Sequence, residues 1–437
     1  MNLEEKIFEA GVVGAGGAGF PTYVKAKSNV EYVLANGAEC EPLIHKDYEL
    51  MVNFPEEIVH GMELMMKSVN SRKGYFGIKE KNVKAIDAIG KYLGNNNIEM
   101  CLLGDFYPSG DEYELVYAAT KKLIPPHGLP LDVGCVVNNV ETLFNISQAE
   151  KKIPVTHKFL SVTGAVKKPS SFFAPLGISF RELIEFVGGT TVKDYSLFVS
   201  GILMGKFTND LSEVVTKTHA GLIVLPNEHY LVKRMSRSVK DMNRIGKSAC
   251  DQCSYCTEFC PRYLLGYDVQ PHKVMRSLVF STSGTAVWNQ FADLCCSCGL
   301  CSLYSCPEDL YPREACDQSK REMKTNNIRY HQEREVKVHP IKEGRRVPLK
   351  QLRIRLDIED YEKKTPFFDN KPKTNSVKLL LKQHIGNPAK AIVKLGAQIK
   401  AGDKIADCET GKLGASLHSP IEGEIKQITE EYIQIIS

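Results

Sequence analysis

A chain of 437 residues implies two to four domains at roughly 100 to 200 residues each and excludes a single small fold. Hydrophobic residues at 43% and charged residues at 25% are globular proportions, which exclude a disordered or collagen-like chain. The net charge of +4 is spread along the sequence and argues for no nucleic-acid partner. No stretch approaches the ~18 apolar residues of a membrane span, and Met1 is followed by Asn2-Leu3-Glu4-Glu5-Lys6 rather than by a signal peptide, so a cytoplasmic location is expected. In a reducing compartment the fourteen cysteines read as metal ligands or redox groups before they read as disulfides.

In chain order, Leu3, Ile7 and Phe8 stand at helical spacing before a glycine-rich turn that opens at Gly11. Tyr32 to Ala35 predicts a short strand running into a polar loop from Asn36 to Pro42, and Asp111 predicts a cap for a helix carrying Leu115, Ala118 and Ala119. Residues 1–155 therefore read as an α/β unit with its functional groups on the loops after strands. Over 156–238 strand-like alternation surrounds one helix, capped by Ser179 with Glu182, faced by Leu183, Ile184 and Val187, and ended by Gly188-Gly189. Residues 239–330 form a cysteine-rich helical unit. The stretch 331–375 is rich in charge and proline and predicts a linker with one helix near Leu352 to Tyr361. From 376 to 437, Val377, Leu379 and Leu381 alternate and glycines recur at 386, 396, 402, 411, 414 and 423, which predicts a small β-sandwich or barrel.

The cysteine block carries the strongest chemical signal. Cys250-x2-Cys253-x2-Cys256-x3-Cys260-Pro261 is the bacterial ferredoxin ligand run, and Cys295-x2-Cys298-x2-Cys301-x4-Cys306-Pro307 repeats it with one extra residue. A tight loop at this spacing delivers three thiolates to three corners of one [4Fe-4S] cubane. The cysteine before proline serves the other cluster, which groups Cys260 with Cys295, Cys298 and Cys301, and Cys306 with Cys250, Cys253 and Cys256. Paired zinc knuckles are the competing reading, but they join two C-x2-C units and leave the doubled triple repeat poorly explained. Cys296 could replace Cys295 in a shifted register; Cys40, Cys101, Cys135, Cys316 and Cys408 read as small buried residues.

Gly14-Ala15-Gly16-Gly17-Ala18-Gly19 satisfies G-x-G-x-x-G, but the helical residues before it are poor context for a Rossmann turn. Consecutive glycines still let backbone N–H groups approach a phosphate, with Lys25 near to neutralise it. A phosphate-bearing cofactor and a plain structural turn are the two readings of that loop.

Four motifs in one order then carry a resemblance: Gly14 to Thr22 with Lys25, Asn36 to Pro42 with Lys46-Asp47, Tyr107 to Glu112, and Val137 to Thr142. Together they resemble the flavoprotein (51-kDa) subunit of respiratory complex I. Phe159 to Gly189 is similar to the SLBB β-grasp domain that follows the flavin domain there. The two-cluster block departs from complex I and resembles the RnfC protein of the Rnf complex. Gln383 to Pro388, Val393-x-x-Gly396, Gly402-Asp403, His418-x-Pro420 and Gly423 look like its small β domain, placed here at the C-terminus. That order resembles the cobalamin reductase family of the propanediol-utilisation microcompartment more closely.

The resemblance implies a multidomain α/β plus β architecture. It consists of an FMN/NADH-binding domain over 1–155, an SLBB β-grasp domain over 156–238, a ferredoxin-like domain with two [4Fe-4S] clusters over 239–330, the linker 331–375, and a lipoyl-like barrel-sandwich hybrid domain over 376–437. By the same resemblance Gly14, Gly16, Gly17 and Lys25 line the FMN phosphate and ribityl chain. Phe20 matches a stacking aromatic, Asn36 and Glu39 face the flavin ring, and Glu41 faces the nicotinamide. Gly110, Asp111 and Glu112 shape the pocket, and Asn138, Asn139 and Thr142 close it. Ala38 stands where complex I has an acidic residue, and Ser28 where an aromatic stacks on the nucleotide, so FMN transfers more safely than NADH.

The implied function is NADH-dependent electron transfer, FMN taking hydride and the clusters passing single electrons to a corrinoid or a corrinoid-handling enzyme. No catalytic side chain is required. The alternatives are an electron-transfer component of an Rnf-like complex or an amino-acid (proline) reductase and, from another class, a partner-binding scaffold with structural clusters. Lys412 stands where lipoyl domains carry a modified lysine, but its flanks match neither the lipoyl nor the biotinyl pattern and favour an unmodified turn.

Overall fold

The computed structural model describes residues 1–94, 97–279, 289–409 and 411–437. Strands β1 (Tyr32–Gly37), β2 (Lys73–Lys79), β3 (Ile98–Leu103), the short β4 (Phe106–Tyr107) and β5 (Cys135–Asn139) belong to the first unit. Four of them form a parallel sheet in the order β3-β2-β1-β5. Val33, Leu34 and Ala35 are all fully buried, because both faces of the sheet are covered. Val33 and Ala35 join Met62 and Leu143 in one core, while Leu34 meets Leu115 and Val116 of the Asp111-capped helix in another. The strand order reverses at β1 and β5, so the crevice at their carboxyl ends is where an α/β sheet takes its ligand. Asn36 and Asn139, in register, sit at that edge.

Strands β6 (His157–Gly164), β7 (Ser170–Pro175), β8 (Tyr195–Val199), β9 (Lys206–Thr208) and β10 (Gly221–Pro226) make a mixed sheet ordered β7-β6-β10-β8-β9. Its helix Phe180–Phe186 has the expected capping box from Ser179 and Glu182. In the cysteine-rich unit Pro261, Pro271 and Pro312 each open a helix, the position where a missing N–H costs nothing.

The stretch expected as a solvated linker is a strap instead. Its β11 (Val347–Pro348) pairs antiparallel with β4, and the helix Leu349–Arg355 follows at once. Val347, Leu349, Leu352, Leu356 and Ile358 are buried, Lys342 Nζ meets buried Glu114 at 2.5 Å, and Ser171 N–H donates to Pro366 O at 3.0 Å. Composition counts charges but does not reveal which of them are paired.

Strands β12 (Ser376–Leu380), β13 (Lys390–Ala391), β14 (Gln398–Ile399), β15 (Lys404–Asp407), β16 (Leu417–His418), β17 (Gly423–Ile428) and β18 (Tyr432–Ile436) form two small sheets, β12-β18-β17-β14 and β13-β15-β16. Val377, Leu379, Ile425, Ile433 and Ile435 fill the space between them. Among the described residues no helix is long and apolar enough to cross a membrane.

Candidate flavin and iron-sulfur sites

The glycine loop is closed on itself by Gly14 N–H donating to Phe20 O at 2.9 Å. Gly17 has φ +65°, a left-handed turn that suits glycine, and a side chain there would meet nothing within 4 Å, so this part of the loop is open. Ala15 N–H donates to Thr142 Oγ1 at 2.9 Å, and Gly16 faces the Asn139 side chain. Lys25 Nζ donates to Val137 O at 2.6 Å. Burial lowers its pKa from the ordinary lysine range against the pull of Glu112, and burial raises Glu112 against the pull of Lys25. Asn36 Nδ2 donates to Gly110 O at 2.9 Å, and a side chain at Gly110 would stand 2.5 Å from Ala38 O.

Whether these residues suit FMN is tested by their unmet hydrogen-bonding capacity. Asn138 is 2% exposed and neither atom of its amide has a protein partner; Thr22 Oγ1 and Ser109 Oγ, both fully buried, lack one too. An unpaired buried polar atom costs about 1–3 kcal/mol, a penalty that a ligand rich in donors and acceptors relieves. The donor set fits the flavin.

Other expected residues are engaged differently. Glu41, expected on the nicotinamide side, turns to the β8–β9 loop, where its carboxylate accepts from Ile202, Leu203 and Met204 N–H at 3.1, 3.1 and 2.7 Å. Burial raises its pKa to about 7. Asp111 caps the helix Glu112–Thr120 and pairs with Arg262 at 3.0 Å. Asn139 caps the helix Val140–Glu150 and donates to Asp47 Oδ2 at 2.7 Å. Phe20 is half-buried on the loop. Glu39 accepts from Asp47 N–H at 3.1 Å, and burial with Asp47 beside it pushes its carboxyl up to about 8.

Behind the loop lies an ion network that the sequence reading did not assign. Lys46 Nζ bonds Asp47 at 2.5 Å and Glu141 at 3.0 Å, while Lys158 Nζ bonds Glu141 at 2.5 Å and Ala15 O at 2.9 Å. Lys46, Asp47 and Glu141 lie inside the four flavin-domain motifs. Lys158 carries no local signal, because strand alternation does not distinguish a buried lysine from a solvated one.

The cysteines sort as their spacing predicts. Burial raises Cys256, with the thiols of Cys306, Cys250 and Cys253 adding to it; Cys306 in turn feels Cys253 and Cys250. Burial likewise raises Cys260, beside Cys295 and Cys296, and Cys301, beside Cys295. Cys260, Cys295, Cys296, Cys298 and Cys301 line one enclosed void. Ser297 N–H donates to Cys295 Sγ at 3.3 Å and Leu310 N–H to Cys306 Sγ at 3.4 Å, the kind of contact that tunes cluster sulfurs. Among the described residues no three Cys, His, Asp or Glu side chains converge as a single metal ion requires. Eight thiols in two groups, each with a backbone N–H donor on a sulfur, fit cubanes better than isolated zinc ions.

The two sites share a seam. Tyr107 Oη donates to Cys298 O at 2.7 Å, and the Arg262 guanidinium, two residues past Cys260, lies 3.5 Å from the Tyr113 ring centroid as well as on Asp111. Arg313, which lines the Cys260 void, donates to Leu203 O at 2.8 Å, tying it to the loop that holds Glu41.

Comparison with known proteins matches each unit. Residues 7–148 match the Nuo51 FMN-binding domain, 159–204 the SLBB domain, 249–311 a 4Fe-4S dicluster domain and 361–437 the RnfC barrel sandwich hybrid domain. The cobalamin reductase PduS of Salmonella typhimurium strain LT2 is 37% identical over 438 residues, covering 99% of this chain and 96% of that protein. The chain belongs to the cobalamin reductase PduS family. A second member, from Citrobacter freundii, is 37% identical over 100% of this chain and 96% of its own. The RnfC-type component of the proton-translocating ferredoxin:NAD(+) oxidoreductase complex of Clostridium ljungdahlii is 33% identical over 59% of this chain and 55% of its own. The flavin, SLBB, dicluster and barrel-sandwich units follow one another in that order here, and FMN and two [4Fe-4S] clusters are the cofactors that these units take.

Proposed function

We propose that this chain oxidises NADH and delivers electrons one at a time to a corrinoid on a partner enzyme, in association with a bacterial microcompartment. The observation that carries the reading is the seam, where the loop shaping the flavin pocket is bonded directly to the cluster cysteines' backbone through Tyr107 and held to the same segment through Arg262. FMN supplies the exchange of a hydride for two single electrons, and iron–sulfur clusters supply one-electron carriage. The chain's own part is to hold and order these groups. The open amides of Gly14, Gly16 and Gly17 with Lys25 would take the phosphate, and the unpaired amide of Asn138 with Asn36 and Glu39 would meet the ring. Cys260, Cys295, Cys298 and Cys301 lie on the flavin side of the seam. Cys253, the exposed member of the other group, lies at the surface where an acceptor could dock.

The nicotinamide side is built differently from the resemblance. Glu41 is spent on the β8–β9 loop, Ala38 carries no charge, and Ser28 bonds Lys25 O at 2.6 Å in place of a stacking ring. NADH as donor and a corrinoid as acceptor rest on the family relationship. The likeness to an RnfC-type protein supports a second reading, an electron-transfer component docking on a larger complex. Anaerobically reconstituted protein should show flavin and cluster absorbance that NADH bleaches, and should speed cob(II)alamin reduction. Bleaching without cob(II)alamin reduction, together with transfer to a proline reductase or Rnf-type partner, would favour the second reading; reconstituted protein without flavin would overturn both.

A further inference from the structure

The glycine loop is open in front, but at both ends it is seated on the two β domains. Lys217, in the loop before β10, is 2% exposed, and its Nζ donates to Gly11 O at 2.6 Å and to Ser416 O at 2.7 Å. Among the described residues no carboxylate pairs with it, and burial lowers its pKa to about 7. The Lys217 N–H donates to Gln383 Oε1 at 2.9 Å. Gly11 has φ +68°, and an added Cβ there would stand 2.3 Å from Ser416 O and 2.8 Å from Lys217 Nζ. At the other end, Gly19 has φ +70°, and a Cβ would stand 2.6 Å from Thr218 Cγ2 and 3.0 Å from His384 Cβ. Ile385 N–H donates to Ala18 O at 2.8 Å. His384 and His418, 7% and 5% exposed, complete the joint; His384 Nε2 and His418 Nδ1 have no protein partner.

We infer that Lys217 and His384 are positioning residues for the flavin loop, and that FMN binding and the seating of the C-terminal barrel-sandwich domain are a single linked equilibrium. A buried ammonium that meets only neutral carbonyls is costly, and an anion on the far side of the loop it supports lowers that cost. The turn at Gly19 has no room to shift toward Thr218 and His384, so the barrel-sandwich domain holds the loop in the shape that presents its amides outward. Linkage is reciprocal: whatever the seated domain contributes to FMN affinity, bound FMN contributes to the seating. This rests on FMN occupying the loop, which the matched FMN-binding domain supports.

The test uses the full chain with its clusters reconstituted and its flavin removed, titrated with FMN by fluorescence quenching and followed by amide hydrogen exchange. FMN should slow exchange at 383–386 and 416–419 in the wild type. Lys217→Met should raise the FMN Kd at least tenfold and abolish that protection, with iron content and cluster absorbance unchanged. His384→Ala should raise the Kd at least threefold, and decides the matter if Lys217→Met does not fold. FMN binding that leaves those amides unprotected, or a Kd within twofold of wild type in the folded variants, would overturn the linkage. A wild-type chain that bound no FMN would overturn the flavin reading with it.

Discussion

Lys158→Met probes whether the buried ion network holds the flavin loop. The substitution keeps the length of the stem and removes the ammonium that bonds Glu141 Oε2 at 2.5 Å and Ala15 O at 2.9 Å. Removing one partner of a buried ion pair costs about 3–5 kcal/mol, because the other charge is left uncompensated. Glu141 keeps Lys46 at 3.0 Å and the Phe159 N–H at 3.1 Å, which places the expected loss near the lower end, about 3 kcal/mol. At roughly 2–4 °C per kcal/mol for a unit of this size, the flavin domain should melt about 6–12 °C lower in an anaerobic scan. The double variant Lys158→Met/Glu141→Gln removes the stranded charge and should recover about 1–2 kcal/mol of the loss, an interaction energy that a cycle isolates. FMN affinity should fall in the single variant, since Ala15 O loses its donor. A single variant melting within about 1 °C of wild type, or a double variant no more stable than the single, would refute the electrostatic argument.

Other outcomes follow from the same geometry. Glu39 is pushed from 4.5 up to about 8 in the folded chain, so its contribution to stability is full below about pH 4.5 and is lost as pH rises through 8. The wild type should therefore lose thermal stability between about pH 5 and 8 relative to Glu39→Gln, and parallel profiles would contradict the assignment. Cys260→Ser should remove about half of the iron and slow reduction of external acceptors while NADH still bleaches the flavin; loss of all or none of the iron would refute the two-group sorting. Gly201 has φ +138°, and a Cβ there would stand 2.4 Å from the Glu41 carboxylate carbon, so Gly201→Ala should destabilise by about 2 kcal/mol or more. An isostable Gly201→Ala would show that Glu41 does not need that seat. Lys412→Ala should leave activity and stability unchanged, since its ammonium pairs only with exposed Glu409; a marked loss would reopen a role for it.

The readings that held were those whose signal is local. A ferredoxin ligand run is legible because one tight loop must deliver three thiolates, and the capping box at Ser179 is legible because both of its bonds lie within four residues. The order of four short motifs likewise pointed to an FMN-binding unit that comparison then matched. The readings that changed depended on partners far away in the chain. Glu41 sits in a motif that resembles a nicotinamide contact, but amides some 160 residues later take its carboxylate. The charged stretch after 330 looked solvated until Lys342 found Glu114 and Val347 found Tyr107.

Sequence by itself determined the cofactor chemistry, the kinds of domain and their order, because ligand spacing, glycine loops and strand alternation are short-range constraints. Tertiary structure decided which charges are buried, which cysteine of one run joins the other, and what backs the flavin loop. A lysine's sequence neighbours do not tell whether its ammonium meets water or a carbonyl. Lys217 is two hundred residues from Gly11 in the chain and 2.6 Å from its carbonyl oxygen in the fold, and only the packing of three domains brings them together.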